Sequence, residues 1–228
     1  MSKHDLKNVK YWIFDLDNTL YPPELDLFAK VDVRMTSYIQ DRLSLSHDEA
    51  FRLQKLYWKE YGTTLSGLME EHKLSPDDFL DFVHDIDVSR LSPDPELDQA
   101  LAGLNGIKYI FTNGTTQHAE NVSQQLGIRH HFEDIFDIRA ADYIPKPQKS
   151  AYEKMITHFG INPAESIFFE DMARNLPPAA ELGLKTVWVR PALAPDAPAH
   201  AHISHEQSDL HKFDYVVDAL APFLKEIA

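Results

Sequence analysis

Apolar positions along the chain keep one period at the start, another in the middle and a third toward the end. Tyr11-Trp-Ile-Phe14 is an unbroken apolar run that empties into Asp15 and Asp17, which predicts a strand buried on both faces with a site at its carboxyl end. Period-two geometry points both carboxylates the same way. Two like charges so placed repel unless a cation sits between them or one keeps its proton. After Pro22-Pro23 and up to about Leu91, apolar residues recur at helical spacing and no strand-like run appears. Ser46 and Glu49 form a capping box for a helix to about Tyr61, and Ser75-Pro76-Asp77-Asp78 starts another. Beyond Ser92-Pro93-Asp94-Pro95 the rhythm becomes helix, strand, helix, strand.

In that third region helices are predicted near Glu96–Leu104, Thr116–Leu126 and Ser150–Phe159, and again toward Leu182. Strands are predicted at Lys108–Phe111, Ile135–Ile138, Ser166–Phe169 and Lys185–Val189, with Phe213–Val217 and a helix from Ala219 closing the chain. Alternating buried strands and helices predict an α/β fold, a Rossmann-like parallel sheet flanked by helices, with the site along its carboxyl edge. The expected domains are an α/β core of residues 1–22 and 93–228 and an all-helical cap of residues 23–92.

Three further segments stand where strands end. Thr112-Asn113-Gly114 precedes a helix whose first amides are unpaired; it suits a phosphate, although alone it is also an ordinary strand-to-helix cap. Lys146 is fixed between Pro145 and Pro147, which restricts where its charge can go; the plain alternative is a surface lysine in a turn. Phe168-Phe169-Glu170-Asp171 is a second buried run emptying into acids, which could complete a hard-cation site with Asp15 and Asp17.

Composition narrows the partners. Of 228 residues 43% are apolar and 25% charged, ordinary values for a globular chain. A formal charge of −14 disfavours binding to a nucleic acid polymer, which depends on clustered Lys and Arg. No run of eighteen apolar residues appears and Met1–Lys7 lacks the apolar core of a signal peptide, so no membrane association and a cytoplasmic location are expected. Without cysteine there is no thiol nucleophile or disulfide. His200, His202, His205 and His211 lie in a Pro- and Ala-rich stretch without compact ligand spacing, and read as a solvated loop rather than a zinc site.

Taken in order, DLDNT at 15–19, TNG at 112–114, Lys146 and ED at 170–171 resemble the four motifs of the haloacid dehalogenase-like superfamily, in the subfamily whose helical cap follows the first motif. The resemblance spans nearly the whole chain. It implies a phosphomonoester hydrolase that works through an aspartyl phosphate, with Asp15 as nucleophile and Asp17 as general acid and base. It assigns Thr112, Asn113 and Lys146 to the substrate phosphate, and Mg²⁺ to Asp15, the Asp17 carbonyl and Asp171, with Glu170 on the metal's waters. Arg174 and Asn175 would orient Asp171 or pair with Glu170. The neighbouring Asp15 carboxylate is expected to raise the pKa of Asp17. Dehalogenases of this superfamily generally lack that second acid, which argues against halide chemistry.

The cap should set the substrate. Tyr57, Trp58 and Tyr61 running into Gly62-Thr63-Thr64, with His118 four residues past Gly114, are similar to the pyrimidine 5′-nucleotidase subgroup; the aromatics could stack on a base and the threonines read its edge. The same spacing also suits helix packing, and His118 could merely cap its neighbours. A nucleoside monophosphate is therefore expected, with phosphoglycolate, a sugar phosphate, a phosphomutase reaction or a non-catalytic phosphate-ligand binder as alternatives. Whether the chain is a monomer or a homodimer is not legible in the sequence.

Overall fold

The computed structural model describes residue 6 and residues 8–190 and 213–228; the histidine-containing stretch at 200–211 lies outside the described residues. Six strands form one parallel sheet in the order β3-β2-β1-β4-β5-β6: β1 Tyr11–Phe14, β2 Ile107–Phe111, β3 Phe132–Phe136, β4 Ser166–Glu170, β5 Lys185–Val189 and β6 Tyr215–Val217. Strand β1 lies between β2 and β4, pairing Phe14 with Ile110 and Phe169. The chain first builds outward from β1 to β2 and β3, then crosses to β4 on the other side. That reversal opens a crevice at the carboxyl ends of β1, β2 and β4.

The unbroken apolar runs follow from covering both faces of the sheet. On one face Trp12, Phe14, Ile110, Ile167, Phe169, Val187 and Val189 share a core, and on the other Ile13, Tyr109, Phe111, Phe168 and Trp188 share a second. Alternate residues of these strands thus enter different cores, so apolar residues follow one another in β1, β2, β4 and β5 instead of alternating with polar ones. The first face is covered by α5 (Pro95–Gly103), α6 (Thr116–Gln125) and α9 (Leu220–Ile227), the second by α7 (Lys149–Phe159) and α8 (Leu176–Glu181). Phe14 and Phe169 stack with centroids 4.6 Å apart, tying β1 to β4 beneath the crevice.

Four helices are inserted between β1 and α5: α1 (Leu27–Leu43), α2 (His47–Tyr61), α3 (Thr64–His72) and α4 (Pro76–His84). The Ser46–Glu49 capping box forms, and Ser75 caps α4 by accepting from the Asp78 amide. Val31, Tyr38, Ile39, Tyr57, Leu68, Phe79, Leu80 and Val83 make a third core, separate from the two sheet cores. The ends of the insertion are anchored elsewhere, because Leu27 and Leu91 are buried with the sheet. Among the described residues no helix is long and apolar enough to cross a membrane.

One strand is displaced from its expected place. Strand β3 runs Phe132–Phe136 rather than 135–138, because it is an edge strand whose Glu133 and Asp134 stay exposed and break the apolar run. Ile138, apolar for another reason, is 3% exposed and belongs to the core of the insertion. Beside it, Arg139 donates to Asp77 at 2.7 Å and to Asp81 at 2.6 Å on α4, and the Tyr143 hydroxyl donates to Asp77 at 3.0 Å. Exposed ion pairs of this kind contribute little. The buried isoleucine is the stronger tie between the two parts.

Gly106 opens β2 with φ +107, and a Cβ there would lie 2.4 Å from the Lys10 carbonyl oxygen. Gly160 after α7 has φ +61 and open space around it. Left-handed backbone alone costs a residue with a Cβ about 1–2 kcal/mol. Gly160→Ala is therefore expected to lower unfolding free energy by about 1 kcal/mol and Gly106→Ala by clearly more, about 3 kcal/mol, as read by urea denaturation. Equal losses would show that the approach of Lys10 is relieved by backbone movement.

Candidate active site

The ladder of β1 extends one residue past the strand, as the Asp15 amide donates to the Phe169 carbonyl at 2.9 Å. The chain then turns sharply, Leu20 N donating to Leu16 O at 3.0 Å, with Asn18 at φ 61. This turn brings Thr19 back under Asp15. Its hydroxyl donates to Asp15 Oδ2 at 3.1 Å and accepts from the Asp171 amide at 3.1 Å, so one side chain fixes the acids at the ends of β1 and β4 relative to each other.

Lys146 is 2% exposed, and its three ammonium protons have three acceptors: Asp15 Oδ1 at 2.6 Å, Glu170 Oε2 at 2.8 Å and the Phe111 carbonyl at 2.9 Å. The rings of Phe111 and Phe168 flank the charge at 4.9 and 5.3 Å. Asn113 holds the lysine's backbone from both sides, accepting from Lys146 N at 2.8 Å and donating to Lys146 O at 3.2 Å. The Thr112 hydroxyl accepts from Gly114 N at 2.9 Å, shaping the turn. Glu170 Oε1 accepts from Met172 N at 3.1 Å, and the Asp171 carbonyl from Trp188 Nε1 at 2.8 Å.

Asp15, Glu170 and Asp171 each offer an oxygen within 4.8 Å of the others, and all three are buried. Burial and the Glu170 charge push Asp15 up to about 7 although Lys146 opposes the rise. Asp171 is driven well above the usual carboxylate range by burial, then by Glu170 and Asp15. Lys146 moves upward, because the attraction of Asp15 and Glu170 outweighs the effect of burial. One ammonium is thus too little positive charge for three acids. An all-oxygen set with surplus negative charge suits a hard divalent cation such as Mg²⁺.

Asp17 departs from expectation. Burial acts to raise its pKa, but His118 and the Tyr21 hydroxyl outweigh burial and the net direction is downward. The reason is geometric: Asp15 and Asp17 have different partners. Asp17 Oδ1 accepts from the Tyr21 hydroxyl at 2.5 Å and lies 2.9 Å from His118 Nε2. His118, 1% exposed, stacks on His84 of α4 with centroids 4.7 Å apart. Burial first, then His118, holds His84 down at about 3.

The crevice therefore brings together Asp15, Asp17, Thr112, Asn113, Lys146, Glu170 and Asp171, with His118 beside Asp17. It does not bring in the polar groups of the expected cap residues. Tyr57 is 6% exposed, its hydroxyl 2.6 Å from His72 Nε2 and its ring against Gly67. Tyr61 meets Tyr57 edge-on and donates to Glu71. Thr63 caps α3 through Ser66 N at 3.1 Å, and the buried Thr64 donates to Gln54 O at 3.3 Å. These four serve the packing of the insertion. Arg174 reaches across to the insertion: it donates to the Gly62 carbonyl at 2.9 Å and lies 4.2 Å over the Trp58 ring. Asn175 receives the Tyr152 hydroxyl on its backbone carbonyl at 2.5 Å, while its buried side-chain oxygen has no hydrogen-bond partner among the described residues.

Sequence reasoning missed Thr19, Tyr21 and His84. For the first two a signal existed, since each stands four residues after an active acid on one helical turn. His84 carries none, being placed by the packing of α4.

Comparison with known proteins identifies the family. A family model described as haloacid dehalogenase-like hydrolase matches residues 9–183. Phosphate metabolism protein 8 of Saccharomyces cerevisiae is 28% identical over 193 residues, covering 77% of this chain and 60% of that protein. Enolase-phosphatase E1 of Xylella fastidiosa is 29% identical over 111 residues, covering 45% of this chain and 44% of its own. The chain thus spans less than two thirds of either relative. Among solved structures, a HAD phosphatase from Thermococcus onnurineus aligns with TM-score 0.59 at 17% identity over 96% of this chain and 97% of that one. L-2-haloacid dehalogenase from Xanthobacter autotrophicus aligns with TM-score 0.57 at 18% identity over 96% and 98%. At such identities these two speak for the fold alone. With the family model covering most of the chain and its motifs meeting in one crevice, this protein belongs to the haloacid dehalogenase-like hydrolase family.

Proposed function

We propose that the chain hydrolyses a small phosphomonoester through a covalent intermediate on Asp15. The observation that carries this reading is the convergence on Asp15: Lys146 on one oxygen, Thr19 on the other, and two further buried acids beside it. A carboxylate held from both sides is oriented for in-line attack, which supplies much of the catalysis in phosphoryl transfer. Lys146 would neutralise phosphoryl oxygens, and backbone amides of the Thr112-Asn113-Gly114 turn would bind them. The residues to hold Mg²⁺ are Asp15, Asp171 and the Asp17 carbonyl, with Glu170 nearby; the cation, when bound, offsets charge that Lys146 alone leaves uncompensated.

Attack by Asp15 forms an Oδ–P bond and breaks the bond from phosphorus to the ester oxygen. Asp17 gives its proton to the departing alkoxide, then takes one from the water that cleaves the acyl phosphate. Its depressed pKa belongs to the site without substrate. A dianionic phosphate beside it acts in the opposite sense and favours the protonated form. Displacement of a halide needs no proton donor, so Asp17 favours ester over halide chemistry. The word phosphatase in the name of the bacterial relative points the same way.

For the substrate we propose a nucleoside 5′-monophosphate, a pyrimidine nucleotide first, so that the leaving group is a nucleoside. With Tyr57, Tyr61, Thr63 and Thr64 committed to packing, the contact with the leaving group falls to Trp58 in the last turn of α2 and to Gly62 just past it. Arg174 ties that end to the segment just past Asp171. Residues 23–92 act in this reading as the cap, in one soluble cytoplasmic chain.

Phosphate release should require Mg²⁺, stop in EDTA and fall to background in Asp15→Asn. Across UMP, CMP, dTMP, AMP, GMP, phosphoglycolate and sugar phosphates it should favour the pyrimidine nucleotides. Activity spread over sugar phosphates would keep the chemistry and remove the nucleotide assignment.

A second outcome concerns the metal-free chain. A carboxyl whose folded pKa is raised keeps its proton between the unfolded value, about 4, and the folded one, while the unfolded chain has released it. With Asp15 at about 7, its contribution makes the protein less stable as pH rises from about 4 to about 7. Melting temperature in EDTA should therefore fall over that window relative to Asp15→Asn, and Mg²⁺ should raise it more at pH 7.5 than at pH 5. Parallel melting curves for the two proteins would contradict the charge surplus.

A further inference from the structure

Asp17 has two carboxylate oxygens, and the fold loads one of them twice. Oδ1 meets the Tyr21 hydroxyl at 2.5 Å and His118 Nε2 at 2.9 Å, while no hydrogen bond to Oδ2 is found among the described residues. Two donors arriving on one oxygen from different elements fix the plane of the carboxyl group. The other oxygen is left to exchange a proton with substrate. A carboxylate only accepts, so the His118 hydrogen bond places a proton on Nε2.

His118 needs support of its own. In most buried histidines the second ring nitrogen is hydrogen-bonded and so sets the ring's orientation. Here Nδ1 is buried without a partner. Its amide is bonded to the Thr115 hydroxyl at 3.2 Å, which fixes the backbone but not the ring. The ring is held by contact: the His84 imidazole covers it at 4.7 Å and 22°, and His84 Nδ1 is itself 3.4 Å from the Thr115 hydroxyl. Gly114 makes room for the pair. A Cβ there would lie 3.4 Å from His118 Cδ2, 3.5 Å from His84 Nε2 and 3.2 Å from the Thr112 hydroxyl. His118 belongs to the α/β core, whereas His84 is the last residue of α4 in the insertion.

We propose that His118 is a positioning residue for Asp17 and that His84 holds it in place, so that proton transfer to the leaving group is tuned by the seating of the helical insertion. The inference rests on the phosphomonoesterase reading above and adds to it the residues that aim the acid. The His118 ring bonds to Asp17, and no hydrogen bond from it to the nucleophile Asp15 is found among the described residues, so in this reading it acts through Asp17. Its loss should therefore slow the step that needs a proton and spare the step that does not.

Two esters separate those steps in the full-length protein with Mg²⁺: an alkyl phosphate, whose alkoxide must be protonated, and p-nitrophenyl phosphate, whose phenolate leaves unaided. A positioned acid contributes on the order of a hundredfold or more, so His118→Ala should lower kcat for the alkyl ester about ten- to a hundredfold. KM should stay within about twofold, and so should the rate of the nitrophenolate burst. His118→Gln keeps a donor at the end of the side chain and should recover most of the loss; it also serves if the alanine variant does not fold. His84→Ala should show the same selectivity with a smaller loss. Equal slowing of leaving-group release from both esters in the first turnover, a change confined to KM, or no difference between alanine and glutamine would overturn the proposal. If the wild-type protein turns over neither ester, the phosphomonoesterase reading itself fails, and this inference falls with it.

Discussion

A buried ammonium between buried carboxylates sets the terms for the rest of this structure. Lys146 is buried where Asp15, Glu170 and a main-chain carbonyl converge. Taking such charges out of water is expensive, and a fold tolerates it only where each charge is met with good geometry. The surrounding elements supply that geometry. Asn113 clamps the lysine's backbone, Thr19 joins Asp15 to Asp171, and Trp188 reaches from β5 to the Asp171 carbonyl. The arrangement is poor value for stability, since acids still outnumber the cation. Such a surplus is retained where it serves a reaction.

The sheet makes this concentration of charge possible. Strands β1, β2 and β4 are covered on both faces, so the only polar outlet for their ends is the crevice where the strand order reverses. The aromatic side chains beneath it, Phe14 stacked on Phe169 and Phe111 near Phe168, form a dry floor that strengthens each interaction above. Core and site are thus one construction: the apolar runs exist to hold their polar ends in register.

What could be read from the sequence follows from this. Strand ends with acids, the Thr112-Asn113-Gly114 turn and the proline-flanked Lys146 are local patterns, and the fold assembles them as their order suggests. The α/β architecture was legible for the same reason, since two-sided burial leaves an unbroken apolar run. Properties that depend on which side chain meets which across the fold were not legible. The pKa of Asp17 was expected to rise because only Asp15 was visible as a neighbour; His118, 101 residues away in sequence, and Tyr21 reverse it. Aromatic spacing at Tyr57 and Tyr61 signalled a packed helix face, and nothing local tells that apart from a base-stacking face. Ile138 looked like the end of a strand because an apolar residue does not announce which core it will join.

The placing of the insertion bears on how it could move. It leaves the core directly after the turn that carries Asp17, Thr19 and Tyr21, and returns just ahead of α5 and the strand that ends at Phe111, before Thr112. Its prolines suggest hinges at Pro22-Pro23 and Pro93, yet Leu27 and Leu91 are buried with the sheet, inside those prolines. Moving the insertion about the prolines would pull both leucines out of the core, at a cost of about 2 kcal/mol or more each. A pivot between Leu27 and Val31 on one side, and between Val83 and Leu91 on the other, leaves both leucines in place. Such a pivot still withdraws Ile138 from the insertion's core and His84 from His118. The segment after β3 and the helix after β2, both on the β2 side of β1, would then feel the same movement. Such a movement would loosen the partner of the site's acid, because α4 ends on the histidine that stacks on His118.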